Sequence, residues 1–378
     1  MSSTQVAAYY FPQYHIDSRN EIIHEPGWSE WQIVKRAQQR FPGHVQPHVP
    51  LWGYEDEADP SAFSRKIAAA ADHGIDCFIF DWYWYEGQPF LHRALEEGYM
   101  AAPNRDQLRF ALMWANHDWC DLYPAPLEGN YRTIFSGNVT RAIFDDVCNY
   151  VIKHYFTNPS YWKIDGCPYF SIYELFRLID NLGGITATRM ALDSFRAKTR
   201  AAGFPDLHLN GVLWGLSTAP DDHTVSTAPG IAEALGLQSV TTYSWCHHMD
   251  LTPFPTVEYA QVAQEMREFW AKTAAEYPIP YHPTVSMGWD SSPRTNPALP
   301  FVSGHYPYFP VMVTNTPEAF EAALRRASEF LVSRPDPERV VIINAWNEWT
   351  ESSYLEPDTL HGMAYLEAVQ KVFREKNG

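Results

Sequence analysis

Val340-Val341-Ile342-Ile343-Asn344-Ala345-Trp346-Asn347-Glu348-Trp349-Thr350-Glu351 joins two unlike kinds of sequence. Four β-branched apolar residues in a row form the pattern of a strand covered on both faces, as in a parallel sheet under helices. Two carboxylates three residues apart follow at once, set among Trp346 and Trp349 and preceded by Asn344 and Asn347. Folding alone asks for no acids there. The first half predicts a parallel α/β sheet, and the second predicts that its C-terminal edge carries chemistry.

Outward from that strand, apolar runs alternate with helical periodicity along the whole chain. Strands are expected at Gln5–Phe11, Ile75–Phe80, Leu108–Trp114, Tyr169–Tyr173, Leu207–Trp214, Gln238–Tyr243, Pro283–Met287 and Arg339–Ala345. Between them, Asp59 and Pro60 open a helix as N-cap and first residue, ending at His73-Gly74. Further helices are expected at Pro89–Met100, at Val139–Phe156 with Asn138 as cap, and at Thr186–Ala202 before Gly203. Thr256 and Thr316-Pro317 open two more, and Gly362–Glu375 closes the chain. Eight strands and about eight helices are the count of an α/β protein of the (β/α)8, or TIM-barrel, class. One domain over residues 1–378 is expected, with long loops on the C-terminal face after strands one, three and seven. A doubly wound open sheet is the alternative, but no Gly-x-Gly-x-x-Gly or P-loop follows any strand, which removes its nucleotide-binding versions.

The composition narrows the partners. Hydrophobic residues make up 46% and charged residues 19%, as in a globular chain. A net charge of −17 argues against nucleic acid or an anionic membrane as partner. No apolar run approaches the ~18 residues of a membrane span, and no signal-like segment opens the chain. A soluble chain is expected, cytoplasmic or exported with its signal absent here. The five cysteines have no metal-site or redox spacing. His247-His248-x-Asp250 and the His44/His48 pair are the candidate metal ligands. Adjacent histidines point apart, and Pro42 and Pro47 deny the second pair a helix, so neither a metal nor another cofactor is expected.

Aromatics stand out at 15%, many in polar runs such as Asp81-Trp82-Tyr83-Trp84-Tyr85-Glu86. Large aromatic cores would explain part of this, and rings stacked on pyranose faces would explain the flanking acids as well. In a barrel, functional groups gather at the C-terminal ends of the strands. Those ends deliver Tyr10, Gln13 and His15, then Asp81, Tyr83 and Trp84, then Trp114, Asn116, His117 and Asp118. Tyr173 and Glu174, Trp245, His247 and His248, Trp289 and Asp290 follow, and lastly Asn347, Glu348 and Glu351. Acids, amides and rings at nearly every strand end suit a polyhydroxylated ligand, so a carbohydrate is the expected partner. Glycoside cleavage needs one carboxyl that holds a proton and one that stays ionised. Glu348 and Glu351 on a helical turn would sit about 5–6 Å apart at Cβ and push their proton affinities apart. A Glu-rich helix N-terminus is the structural alternative, and Glu174 and Asp118 are rival carboxylates.

The final motif, with Leu355-Glu356-Pro357 after it, resembles the WbsX-like proteins and, through them, glycoside hydrolase family 99. WbsX-like proteins carry an Ala-Trp-Asn-Glu-Trp-x-Glu-Gly signature with a downstream Leu-Glu-Pro. Tyr9-Tyr10-Phe11-Pro12-Gln13-Tyr14-His15, Ser29-Glu30-Trp31 and Trp114-Ala115-Asn116 resemble further blocks, so the likeness spans nearly the whole chain. The resemblance implies a barrel acting on α-linked manno- or rhamno-configured sugars with retention, through attack by the sugar's own 2-hydroxyl to give a 1,2-anhydro sugar. By motif position, Glu348 would take the 2-hydroxyl proton and Glu351 would act as acid, then base. Glu30, Trp31, Tyr354 and Glu356 complete the candidate sugar contacts, with a surface loop acid between Trp28 and Trp31 as the alternative reading of Glu30. The sequence departs at Ser352, where the family has Gly, and at His117-Asp118. Two alternatives stay open: a glycosyltransferase of surface-polysaccharide (O-antigen) assembly, and a non-catalytic carbohydrate-binding protein.

Overall fold

A computed structural model describes residues 4–213, 228–248, 250, 252–334 and 338–374. Parallel strands run β1 (Gln5–Tyr10), β2 (Cys77–Tyr85), β3 (Arg109–Trp114), β4 (Cys167–Ile172), β5 (His208–Val212) and β6 (Ser239–Thr241). β7 comes in two pieces, Tyr281–His282 and Thr284–Ser286, and β8 is Val340–Asn344. Each strand pairs in parallel with the next, the first β7 piece with β6 and the second with β8. β8 pairs in turn with β1, so nine segments make one closed ring of eight strands. Pro283 divides β7 because it has no N–H to give the ladder; its carbonyl still accepts from Ile342 N at 3.0 Å. The chain is a (β/α)8 barrel.

Val340, Val341, Ile342 and Ile343 are fully buried, as their unbroken apolar run requires, and burying each side chain stabilises the fold by about 1.5–3 kcal/mol. Helices cover the ring at Pro60–Asp72, Arg141–Val151, Ile185–Ala201, Tyr259–Glu276, Pro317–Val332 and Ala364–Phe373. Asp59 accepts from Ser61 N and Thr316 from Ala319 N, as capping residues do. Among the described residues no helix is long and apolar enough to cross a membrane.

Several boundaries differ from the expectation. β2 runs on through Tyr85 because Tyr83–Tyr85 pairs antiparallel with Gln88–Phe90, which consumes the start of the expected second helix. Only a π-helical turn, Ala94–Tyr99, remains of it. Thr140, not Asn138, caps the helix before β4, its hydroxyl accepting from Ile143 N. Thr256 lies in a short strand, Thr256–Glu258, paired with Val311–Val313, and the helix starts at Tyr259. The expected ends at Trp214 and Glu375 lie outside the described residues.

Candidate active site

After β8 the chain makes a tight hairpin, and the expected helical turn lies at its tip as a 3-10 turn. Asn347–Glu348 pairs antiparallel with Ser353–Tyr354, and a single 3-10 turn, Trp349–Glu351, joins them. Ser352 closes the turn in the left-handed region at φ 49°, a conformation that glycine adopts more readily. Leu355 N and Glu356 N both donate to Trp346 O at 2.9 Å, and Trp346 N donates to Tyr9 O at 2.7 Å.

Behind the turn lies a buried ionic anchor. Lys66 Nζ contacts Glu57 Oε1 at 2.9 Å and also pairs with Glu356. Glu57 accepts from Tyr10 Oη at 2.7 Å and from Asn347 Nδ2 at 2.8 Å. Glu356 accepts from the indole N–H groups of Trp346 and Trp349, at 3.0 and 2.6 Å. Burial opposes the Lys66 charge, but Glu356 and Glu57 outweigh it and raise its proton affinity. The two residues flanking Glu348 are thus fixed from behind.

In front of the turn a cavity of about 530 Å³ opens at the C-terminal ends of the strands. Glu348 and Glu351 both line it, at 4% and 8% exposure. Glu348 Oε1 accepts from Tyr243 Oη at 2.7 Å, and the same hydroxyl lies 2.8 Å from Asp81 Oδ2. Glu351 Oε1 accepts from Tyr306 Oη at 2.5 Å. Arg294 stands between the two acids, 3.8 Å from Glu348 Oε2 and 3.9 Å from Glu351 Oε1. It also faces Glu30 at 3.3 Å, and Thr350 Oγ1 donates to Glu30 at 3.0 Å. Burial raises the proton affinity of Glu351, while Arg294 and Tyr306 pull it back. Burial, and then the charges of Glu351 and Asp81, push Glu348 well above the ordinary carboxylate range. Trp289 and Tyr306 form one wall, their centroids 6.2 Å apart, and Tyr83 and Trp119 another, at 5.2 Å.

Of the residues read as sugar contacts, Gln13, Glu30, Asp81, Tyr83, His117 and Trp289 line this cavity. The others stand behind the wall. Trp84 points to the opposite face of β2 from Tyr83, as strand alternation requires, and packs on Tyr150. Trp245 donates to Thr284 O and stacks on Tyr259, and Trp31 donates to Glu55 O beneath Trp349. Asn116 is used up holding the backbone of Glu174, at 2.8 and 2.9 Å. Tyr10, Asn347 and Glu356 belong to the Lys66 anchor. Tyr354 stacks on Trp349 and donates to Asp358, and His15 is buried beside His92 and Arg93. The rival acids also reach the cavity, with Asp118 paired to Arg177. No group of three metal-type side chains forms among the described residues, around His247 and His248 or elsewhere. Sequence reading missed Tyr243, Arg294 and Tyr306 as site residues. Tyr243 stood at a strand end, which is a usable signal, whereas Arg294 and Tyr306 lie in the loop after β7 without one.

The family model described as Glycosyltransferase WbsX matches residues 6–369. The chain belongs to this WbsX family. Its relatives include WxcX of Xanthomonas campestris pv. campestris, 26% identical over 371 residues. That alignment covers 97% of this chain and 49% of WxcX, so the chain spans about half the length of that relative. Among solved structures, the GH99 endo-α-mannosidase of Bacteroides thetaiotaomicron superposes with a TM-score of 0.56 at 13% identity, over 97% and 96% of the two chains. A glycoside hydrolase-like protein gives 0.61 at 14% identity, over 100% and 95%. A β-glucosidase of Thermotoga maritima gives 0.52 at 10%, over 100% and 99%. At these identities the likeness is one of fold, and the fold is that of TIM-barrel glycoside hydrolases.

Proposed function

We propose that this WbsX-family chain is a retaining glycoside hydrolase acting on α-linked manno- or rhamno-configured residues of an oligo- or polysaccharide. The observation that carries the reading is two buried carboxyls on one turn, facing one cavity with different dressings. Glu351 Oε1 is taken by Tyr306, which leaves Oε2 to carry a proton, and burial raises the proton affinity of this carboxyl against the pull of Arg294 and Tyr306. Glu351 gives it to the leaving oxygen as the C1–O bond breaks. Glu348 takes the proton of the 2-hydroxyl as O2 bonds to C1, forming a 1,2-anhydro sugar. Water then attacks C1, losing its proton to Glu351, while O2 recovers its own from Glu348. Retention follows from two inversions at C1, and internal attack needs O2 anti to the leaving group, as in α-manno and α-rhamno sugars. Arg294 carries the charge that passes between the two acids.

The family's description supports a second reading, sugar transfer from a nucleotide donor. A panel of α-mannans and α-rhamnans with product analysis, run beside calorimetry with nucleotide sugars, separates the two. Chain cleavage lost in both Glu348→Gln and Glu351→Gln, with the fold retained, is the expected result. Tight nucleotide-sugar binding without cleavage, or near-normal turnover in either variant, overturns it.

A further inference from the structure

The hydroxyl of Tyr243 touches two carboxyls at once, 2.8 Å from Asp81 Oδ2 and 2.7 Å from Glu348 Oε1. A phenol carries one proton, and an ionised carboxylate only accepts. Both contacts can therefore be hydrogen bonds only when one of the carboxyls holds a proton and donates it to the phenol oxygen. With both acids ionised, one of the two short contacts would set lone pairs against each other in a buried site, where such a clash is expensive. The phenol itself keeps its proton, because burial and the neighbouring Asp81 and Glu348 oppose its ionisation.

The surroundings say where the proton rests. Tyr9, Tyr173 and His247 pack around the Tyr243 ring, and Tyr83 faces Asp81. Glu348 faces Glu351, Tyr14, Tyr306 and the one guanidinium of the group, Arg294. Asp81 Oδ1 and Glu348 Oε2 are both buried without a hydrogen-bond partner, so what separates the two acids is the cation: Arg294 lies 3.8 Å from Glu348, and none lies within ion-pair distance of Asp81 among the described residues. The charge is favoured beside Arg294 and the neutral form on Asp81.

We propose that Asp81, Tyr243 and Glu348 form a one-proton relay in which the phenol carries a proton from Glu348 to Asp81, leaving Glu348 ionised to take the 2-hydroxyl proton. In the transfer the O–H bond of Glu348 breaks as its proton joins the Tyr243 oxygen, and the original Tyr243 O–H breaks toward Asp81. The charge moves from Asp81 to Glu348 and no outside reactant is needed. Asp81 is thereby the store for the proton that would otherwise silence the base. The relay rests on the hydrolase reading for its purpose, though not for its existence.

Infrared difference spectra of ligand-free protein at pH 7, with the aspartate carboxyl carbons isotopically labelled, test it without substrate. A neutral aspartic acid band that moves with the label and vanishes in Asp81→Asn is expected; a labelled spectrum unchanged by Asp81→Asn overturns the proposal. Tyr243→Phe removes the donor to ionised Glu348, so the acid limb of the kcat/KM profile moves up by about one to two pH units. A uniform drop with both limbs in place marks a merely structural tyrosine and overturns the relay. If no glycan is cleaved at all, the hydrolase reading fails while the infrared result still decides where the proton sits.

Discussion

Replacing Lys66 with Met removes the one cation found in the anchor among the described residues, behind the turn that carries Glu348 and Glu351, while keeping most of its volume. Lys66 is 1% exposed, and its partners Glu57 and Glu356 are 0% and 5% exposed. Breaking one side of such a buried ion pair costs about 3–5 kcal/mol, because the remaining charges have no compensation. Unfolding entropy of about 2.1 cal/mol/K per residue over 378 residues converts this into a fall in Tm of about 4–6 °C. The loss has a pH signature. Lys66 holds down the proton affinity of Glu57, which burial raises, so its removal raises Glu57 further. A carboxyl raised in the folded state favours folding at low pH, and this is lost as pH rises through its folded value. The gap in Tm between Lys66→Met and wild type therefore widens from pH 5 to pH 8 in scanning calorimetry. Asn347 and Trp349 lose fixed partners, so kcat falls by about 10-fold to 100-fold through misplacement of Glu348. Adding Glu57→Gln and Glu356→Gln recovers much of the Tm. A Tm within about 1 °C of wild type at both pH values would refute the anchor, since the chain's unfolding entropy leaves no room for the predicted energy.

Arg294→Gln deprives Glu30, Glu348 and Glu351 of their shared cation, so the acid limb of kcat/KM moves up by about one pH unit or more. Its Tm deficit is larger at pH 8 than at pH 5, since carboxyls with raised folded values lose stability as pH rises. Ser352→Gly relieves the left-handed backbone but gives up the 3.0 Å bond from Gln46, so its stability stays within about 1 kcal/mol of wild type. Ser352→Val puts a β-branched residue at that φ and is expected to lose about 2 kcal/mol in urea titrations, with lower kcat. His15 is pushed down to about 3, by burial first and then by Arg93 and His92. Its neutral form favours folding above pH 6.5, and that stability is lost as pH falls toward 3. His15→Leu therefore gains about 2 kcal/mol relative to wild type between pH 7 and pH 5, as read by chemical unfolding at the two pH values.

The barrel was legible because its signals are local. An unbroken β-branched run such as Val340–Ile343 states burial on both faces, and Asp59-Pro60 or Thr316-Pro317 states a helix start. The position of Glu348 and Glu351 at a strand end is equally local. What the chain does not write locally is which side of a wall a side chain takes. Tyr83 and Trp84 are neighbours of like kind, and strand alternation sends one to the cavity and the other to the helices. Asn347 and Glu356 look like sugar contacts until Glu57 and Lys66, some 290 positions away from them, claim them. Arg294 reaches the acids only because the long loop after β7 folds over the barrel mouth. Thr256 has the composition of a cap, and the strand it joins depends on Val311, 55 positions later.

The amide of Asn347 grips both backbone groups of Phe11, at 2.8 and 2.7 Å, across a separation of 336 residues. The opening strand and the turn bearing both acids are one mechanical unit, although the ribosome makes them at opposite ends of the barrel. A nascent chain holding seven strands has a row of unpaired edge groups on β1 and no acid-bearing turn to receive. Under the proposed hydrolase reading, turnover is therefore a direct assay of whether the two ends of the barrel have closed on each other. Tethered fragments split anywhere between β1 and β8 should regain function only to the extent that this seam re-forms.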